Sequence, residues 1–230
     1  MVVFLRKNIP MDVIFRFLCS MNNEQPPIER HPWPPFVPDE ARYLFLGTFP
    51  PQEHRWSMAF YYPNRTNDFW RIMGLIFCGD RDALWDNEQK RFDLEAIKLL
   101  LNRRGIALWD TGMAVRRLKG NASDKFLEIV EPIDLVALLE EHPSISNVIT
   151  TGEKATGIIA AQAGIEVPVI GRPVECRVGN HSFTLWRMPS SSRAYPLALE
   201  KKAEEIAKKF LETDFMGGKH KVRIDMFEPA

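Results

Sequence analysis

The sequence predicts an α/β fold in which a mainly parallel, four-stranded sheet is covered by helices on both faces. Three observations carry this expectation. Short apolar runs recur along the chain and end in turn residues. The segments between them carry apolar residues at helical spacing, so strand and helix alternate as in βαβ units. The 230 residues are 45% hydrophobic and 26% charged, which suits one sizeable α/β core and argues against disordered or coiled-coil chains.

The first apolar run, Arg42–Leu46, ends at Gly47 and reads as a buried strand. Asp68–Phe77 places Phe69, Ile72, Met73, Ile76 and Phe77 on one helical stripe that stops at Gly79, and residues 80–92 read as a polar loop. Asp93 is an N-cap for a second helix through Leu94, Ile97 and Leu101, closed by Gly105. Ile106–Trp109 is the second strand. Leu135, Leu138 and Leu139 stripe a third helix before Pro143. Asn147–Thr150 is the third strand, followed by a helix over 153–163. Pro168–Ile170 is marked as a candidate short strand, and Phe183–Met188 is the fourth long one. A last helix, Pro196–Leu211, turns Leu199, Ala203, Ile206 and Phe210 inward and a Lys/Glu face outward.

Three regions follow: an N-terminal extension and Pro-rich arm over 1–40, the α/β domain over 41–212, and a C-terminal tail over 213–230. Within the extension, charged residues and Pro10 interrupt the apolar stretch, which makes it a poor secretory segment. An accessory helix, or an upstream extension with Met21 as an alternative start, is expected there. Residues 22–40 hold Pro26, Pro27, Pro32, Pro34, Pro35 and Pro38, so an extended arm is expected, tacked to the body by Trp33 and Phe36. Cys19, Cys78 and Cys176 form no close pair, and His residues have no ligand spacing, so no disulfide scaffold, metal or cofactor is expected. No apolar run reaches the roughly 18 residues of a membrane span. A cytoplasmic monomer is the expectation.

Ligands of parallel sheets bind beyond the strand C-termini, and two loops there are chemically unusual. After the first strand come Gly47-Thr48-Phe49-Pro50-Pro51, then Tyr61, Tyr62, Asn67 and Asp68. A rigid Gly/Pro turn can aim N–H groups at a ligand, and aromatics with amides suit a flat heteroaromatic ring. Phe69 and Trp70 read better as core, and Asp68 is equally a helix cap. After the last strand, Met188-Pro189-Ser190-Ser191-Ser192-Arg193 offers hydroxyls, N–H groups and a guanidinium to a phosphate.

Taken together, GTFPP, the Tyr61-Tyr62 pair followed by Asn67-Asp68-Phe69-Trp70, Ala107-Leu108-Trp109-Asp110, Thr151-Gly152-Glu153-Lys154-Ala155 and MPSSSR resemble the uracil-DNA glycosylase superfamily. The likeness runs from about Tyr43 to Leu211 and is nearest to the hypoxanthine-DNA glycosylase and mismatch-specific branches. It implies a three-layer α/β/α sandwich around a short, mainly parallel four-stranded sheet. It also implies a monofunctional enzyme of base-excision repair that flips a deaminated base, hypoxanthine or uracil-like, out of double-stranded DNA and hydrolyses its N-glycosidic bond. On this resemblance Asn67 and Thr48 are the catalytic candidates. Phe49, Tyr62 and Tyr61 would bind the base, while Ser190, Ser191 and Arg193 would hold a phosphate or fill the vacated stack. The superfamily's usual first-motif Asp or Asn is Thr48 here, and its second-motif His is Met188.

The 30 basic and 30 acidic residues cancel. Bulk positive charge therefore cannot hold DNA, and a local rim is needed, for which Arg65, Arg187 and Arg193 are candidates. A non-catalytic nucleic-acid or nucleotide binder, and an N-glycoside hydrolase of free nucleosides, are the competing readings.

Overall fold

The computed structural model describes residues 25–119 and 124–216, with side chains as far as 208. The expectations for the first 21 residues, for the segment 217–230 and for the Phe210 side chain lie outside the described residues.

The strands are β1 (Ile28–Arg30), β2 (Tyr43–Gly47), β3 (Trp85–Asp86), β4 (Arg91–Phe92), β5 (Ile106–Asp110), β6 (Gly112–Arg117), β7 (Leu127–Pro132), β8 (Asn147–Thr151), β9 (Pro173–Val178) and β10 (His181–Met188). The helices are α1 (Phe69–Cys78), α2 (Leu94–Arg104), α3 (Leu135–Glu141), α4 (Glu153–Gln162) and α5 (Leu199–Met216).

The central sheet has the order β5-β2-β8-β10-β9. β5, β2, β8 and β10 are mutually parallel, and they are the four strands expected from the apolar runs. The sheet nevertheless has five strands, because β9 adds antiparallel to β10 at one edge. This corrects the four-strand expectation and the marking of Pro168–Ile170, which forms no strand. β9 alternates exposed Glu175 and Arg177 with buried Cys176 and Val178, as an edge strand with one wet face does. Its turn into β10 is the two-residue loop Gly179-Asn180, with Gly179 at φ 53°. Gly-Asn between two alternating runs is a hairpin signal in the sequence itself.

Alternation along each strand feeds two cores. Tyr43, Phe45, Ile106, Leu108, Ile149 and Trp186 face one way, toward α1, α2 and α5. Leu44, Leu46, Ala107, Val148 and Leu185 face the other, toward α3 and α4. The result is helix, sheet, helix. Asp93 caps α2 as its sequence implies, its side chain accepting from the Ala96 N–H at 3.0 Å, and Gly105 closes the helix in the left-handed region.

A second sheet was not expected. β1 pairs antiparallel with β6, and β6 with β7. The Pro-rich arm therefore contributes a strand before Phe36 exchanges backbone hydrogen bonds with Leu108 at 3.0 and 2.9 Å. Prolines scattered through 26–38 hid that three-residue strand from the sequence reading.

Lys202 binds the last helix to the rest. It follows Leu199 by three positions and so lies on the inward stripe of α5, contrary to the expected outward Lys/Glu face. Its side chain is 1% exposed, and Nζ reaches Asp68 Oδ2 at 3.1 Å and the Ser192 carbonyl at 2.8 Å. Removing one partner of a buried ion pair costs about 3–5 kcal/mol. Arg193 still compensates Asp68. Lys202→Met is thus expected to lower unfolding free energy by about 3 kcal/mol in urea titration. Arg193→Ala, removing a half-exposed partner, should cost within about 1 kcal/mol.

Candidate active site

Four chain segments meet where the parallel strands end. They are the Gly47-Thr48-Phe49-Pro50-Pro51 turn after β2, Asp110 at the end of β5, Thr151 at the end of β8 and Ser190–Arg193 after β10. They enclose, with Tyr62, Pro63, Asn64, Thr66 and Asn67, a cleft of about 740 Å³, a size suited to a small organic ligand; Arg65, a candidate for the rim, does not line it.

The turn after β2 is held by its carbonyls. Gly47 accepts from the Thr111 N–H, Thr48 from that of Gly112, Pro50 from the Arg117 guanidinium at 2.6 Å and Pro51 from the Trp56 indole at 2.7 Å. Arg117 is itself gripped by Glu29 of β1 at 2.9 Å and lies 5.5 Å over the Phe49 ring. Pro50 and Pro51 have no N–H, so a backbone donor offered by this turn comes from Thr48 or Phe49, both of which line the cleft. Gly47 is required here because a Cβ would collide with Asp110 Oδ1 and crowd the Tyr62 hydroxyl.

Tyr62 forms one wall. Its backbone takes φ 48°, an unusual conformation for a residue with a side chain. One face of its ring is stacked on Phe69, with centroids 3.7 Å apart and planes within 10°. Its hydroxyl pairs with Thr151 Oγ1 at 3.1 Å. Burial, reinforced by the Asp110 charge, pushes its pKa up, so the hydroxyl stays protonated. Phe49 lines the cleft as well.

Tyr61 does not line it. Its ring is 1% exposed and packs at 5.8 Å on His31, and its hydroxyl donates to the Pro34 carbonyl at 2.7 Å. Burial pushes its pKa up too. Tyr61 therefore docks the arm, and of the three residues expected to bind the base it is Tyr62 and Phe49 that line the cleft.

Asn67 lies in the cleft wall, bridged to Ser192. Its Oδ1 accepts from the Phe69 N–H at 2.9 Å, an Asx-type turn leading into α1, which leaves its amide N–H₂ to offer. Asp68 stands at the N-cap position without making a side-chain cap. Instead it gathers the two loops: its N–H donates to the Ser191 carbonyl at 2.9 Å, and its carboxylate accepts from Arg193 Nε at 3.0 Å and from Lys202. Ser190, Ser191 and Arg193 all line the cleft, with the Ser190 hydroxyl accepting from the Ser192 N–H at 3.2 Å. Arg187, a candidate for the rim, turns inward to the Pro168 carbonyl and Glu153. The exposed Arg55 and Lys125 line the cleft as Arg193 does.

Two carboxylates in the cleft were missed as functional residues. Asp110 is 6% exposed. Its Oδ2 faces His31 Nε2 at 3.0 Å, and its Oδ1 lies against Gly47, which also lines the cleft. His31 comes from the arm, and its Nδ1 lies 2.8 Å from the Trp33 carbonyl. Asp124 accepts the Thr48 hydroxyl proton through Oδ2 at 2.9 Å. Its carboxyl end stands in the cleft wall although the residue as a whole is exposed. Loss of water there raises its pKa, while the Thr48 hydrogen bond and Lys154 pull it back. Asp110 closes the ALWD run already picked out in the sequence. Asp124, 76 residues from Thr48, sits in no motif. Among the described residues, no group of three or more His, Cys, Asp and Glu could hold a metal ion.

No family model matches the chain. It is 31% identical over 133 residues to the hypoxanthine DNA glycosylase of Methanosarcina barkeri (strain Fusaro / DSM 804), which covers 56% of this chain and 74% of that protein. The solution NMR structure of a candidate uracil DNA glycosylase from Methanosarcina acetivorans superposes with a TM-score of 0.53 at 25% identity, covering 80% of this chain and 99% of that one. Motif order, fold and relatives agree: the chain belongs to the uracil-DNA glycosylase superfamily, on its hypoxanthine-DNA glycosylase branch.

Proposed function

We propose that this protein is a monofunctional DNA N-glycosylase of base-excision repair, working as a monomer on double-stranded DNA and releasing a flipped deaminated base, hypoxanthine foremost. The observation that carries the reading is that the Asp110 carboxylate and the Tyr62 ring, stacked on Phe69, line one cleft. Deamination turns adenine N1, or cytosine N3, from a lone-pair acceptor into an N–H donor. A carboxylate only accepts. A ring laid against Tyr62 with its edge at Asp110 Oδ1 is favoured as a lactam N–H and disfavoured as adenine or cytosine, whose lone pair would meet another. Extrusion is needed because the glycosidic bond cannot be reached inside the stack.

The remaining residues take parts that suit this chemistry. The transition state carries positive charge on the sugar and negative charge on the departing base. N–H groups of the Thr48-Phe49 turn and the amide of Asn67 are donors for the base or for the attacking water. Ser190, Ser191 and the loop N–H groups would receive a phosphate, with Arg193 at the rim.

Single-turnover release from duplexes carrying uracil, hypoxanthine, xanthine or a thymine mismatch tests the reading. Release of hypoxanthine is expected. Binding without release from every duplex would favour a non-catalytic binder, and cleavage of free inosine alone a nucleoside hydrolase. Asn67→Ala should slow release about 100-fold or more, the scale of one lost preorganised donor, with much less effect on DNA binding. Ser190→Ala should weaken binding and turnover together. In a salt titration of duplex binding, a slope set by only a few phosphates is expected, since each contact contributes about −0.9 to it.

A further inference from the structure

Hydrolysis needs an acceptor for the water's proton, and the groups named so far do not supply one. The Thr48 hydroxyl is too weak a base near neutral pH. Asn67 has its Oδ1 engaged by the Phe69 N–H and offers a donor. Asp110 has one oxygen on His31 and the other against Gly47, and it meets the base edge in the reading above. Asp124 remains. It lines the same cleft, and its Oδ2 takes the proton of Thr48, the residue standing where the superfamily's first motif usually carries Asp or Asn.

Resting on the glycosylase reading above, we propose that Asp124 is the general base of the reaction, restoring from a distant part of the chain the carboxylate that the first turn lacks. Thr48 donates its proton to Asp124, so the lone pairs of Thr48 Oγ1 are free to accept from a water in the cleft. That water's second proton goes to the Asp124 carboxylate as its oxygen bonds to C1′ of the sugar. The N-glycosidic bond breaks and its electron pair leaves with the base, which takes a proton from solvent. The products are an abasic sugar with a 1′-hydroxyl, the free base, and protonated Asp124, which solvent restores.

The surroundings of Asp124 fit this part. Thr48 from the first turn, Lys154 of α4 and Arg117 of β6 favour its ionised form, while Asp110 at the end of β5 and the loss of water oppose it. Tyr62 lies within reach of the same charge. The net effect raises the pKa above the ordinary carboxylate value. Such a carboxylate is a stronger base than an ordinary aspartate. Release should therefore fall as pH drops, with the acid limb displaced upward from the ordinary aspartate range.

The experiment is single-turnover hypoxanthine release by the full chain across pH, with anisotropy measurements of binding to a duplex carrying an uncleavable analogue. Asp124→Asn should lower release about 100-fold or more and abolish the acid limb. Binding of the uncleavable duplex should change less than about threefold, within a fraction of the tenfold that corresponds to 1.4 kcal/mol. Thr48→Val removes the hydrogen bond that lowers the pKa, so it should move the acid limb to higher pH. This shift separates a coupled base from a merely structural contact. Retention by Asp124→Asn of the wild-type rate, or of the wild-type acid limb, overturns the assignment, as does an unshifted limb in Thr48→Val. Failure of the wild-type protein to release a base from any duplex is a different result. It overturns the glycosylase reading, and the role of Asp124 with it.

Discussion

The Asp68–Lys202 ion pair is the constraint on which the site's geometry depends. Burying two charges costs several kcal/mol in lost hydration, which is recovered only when geometry is good and every remaining hydrogen-bonding site is filled. Here both conditions hold for Asp68, with Lys202, Arg193 and the Ser191 carbonyl as its partners. A hydrophobic pair would hold helices together without regard to orientation. This pair fixes the loop before α1 against the loop after β10, because Lys202 also grips the Ser192 carbonyl. The two loops are 125 positions apart at Arg193 and Asp68, yet the cleft needs both in register.

A second constraint works on the other side of the cleft. The turn after β2 ends a buried strand, and its carbonyls are fastened by Arg117, Trp56 and the backbone of Thr111-Gly112. Arg117 depends on Glu29, and Asp110 on His31, so the Pro-rich arm braces the site from behind. The packing of His31, Trp33 and Tyr61 gives that arm a fixed seat.

The legible and the hidden parts of this fold separate along one physical line. Continuous apolar runs and helical stripes report burial, so the four parallel strands and five helices could be read from them. Thr48, Phe49, Tyr62, Asn67 and the serine loop were readable because Gly and Pro mark strand ends. What stayed hidden depends on long-range pairing. β1 and β6 meet across more than 80 residues, and Lys202 reads as one more solvated charge in a Lys/Glu-rich helix until Asp68 is placed beside it. Tyr61 and Tyr62 are adjacent and chemically alike. Only the left-handed backbone at Tyr62 sends one ring into the cleft and the other toward the arm. Arg187 alternates along β10 to a position where Pro168 and Glu153 claim it.

The neutral chain and the composition of the cleft are two sides of one electrostatic design. Asp110 and Asp124 line the cleft, and so do the exposed Arg55, Lys125 and Arg193. In the proposed reading those carboxylates would repel phosphates, and the exposed cations would take the DNA backbone. The two carboxylates divide the work in that reading, Asp110 meeting the N–H edge of the base and Asp124 serving the water at the sugar. They also oppose a departing base anion, which sets a requirement: donors must meet that anion on its other edges. In the proposed reading the N–H groups of Thr48 and Phe49, residues that line the cleft, would answer that requirement.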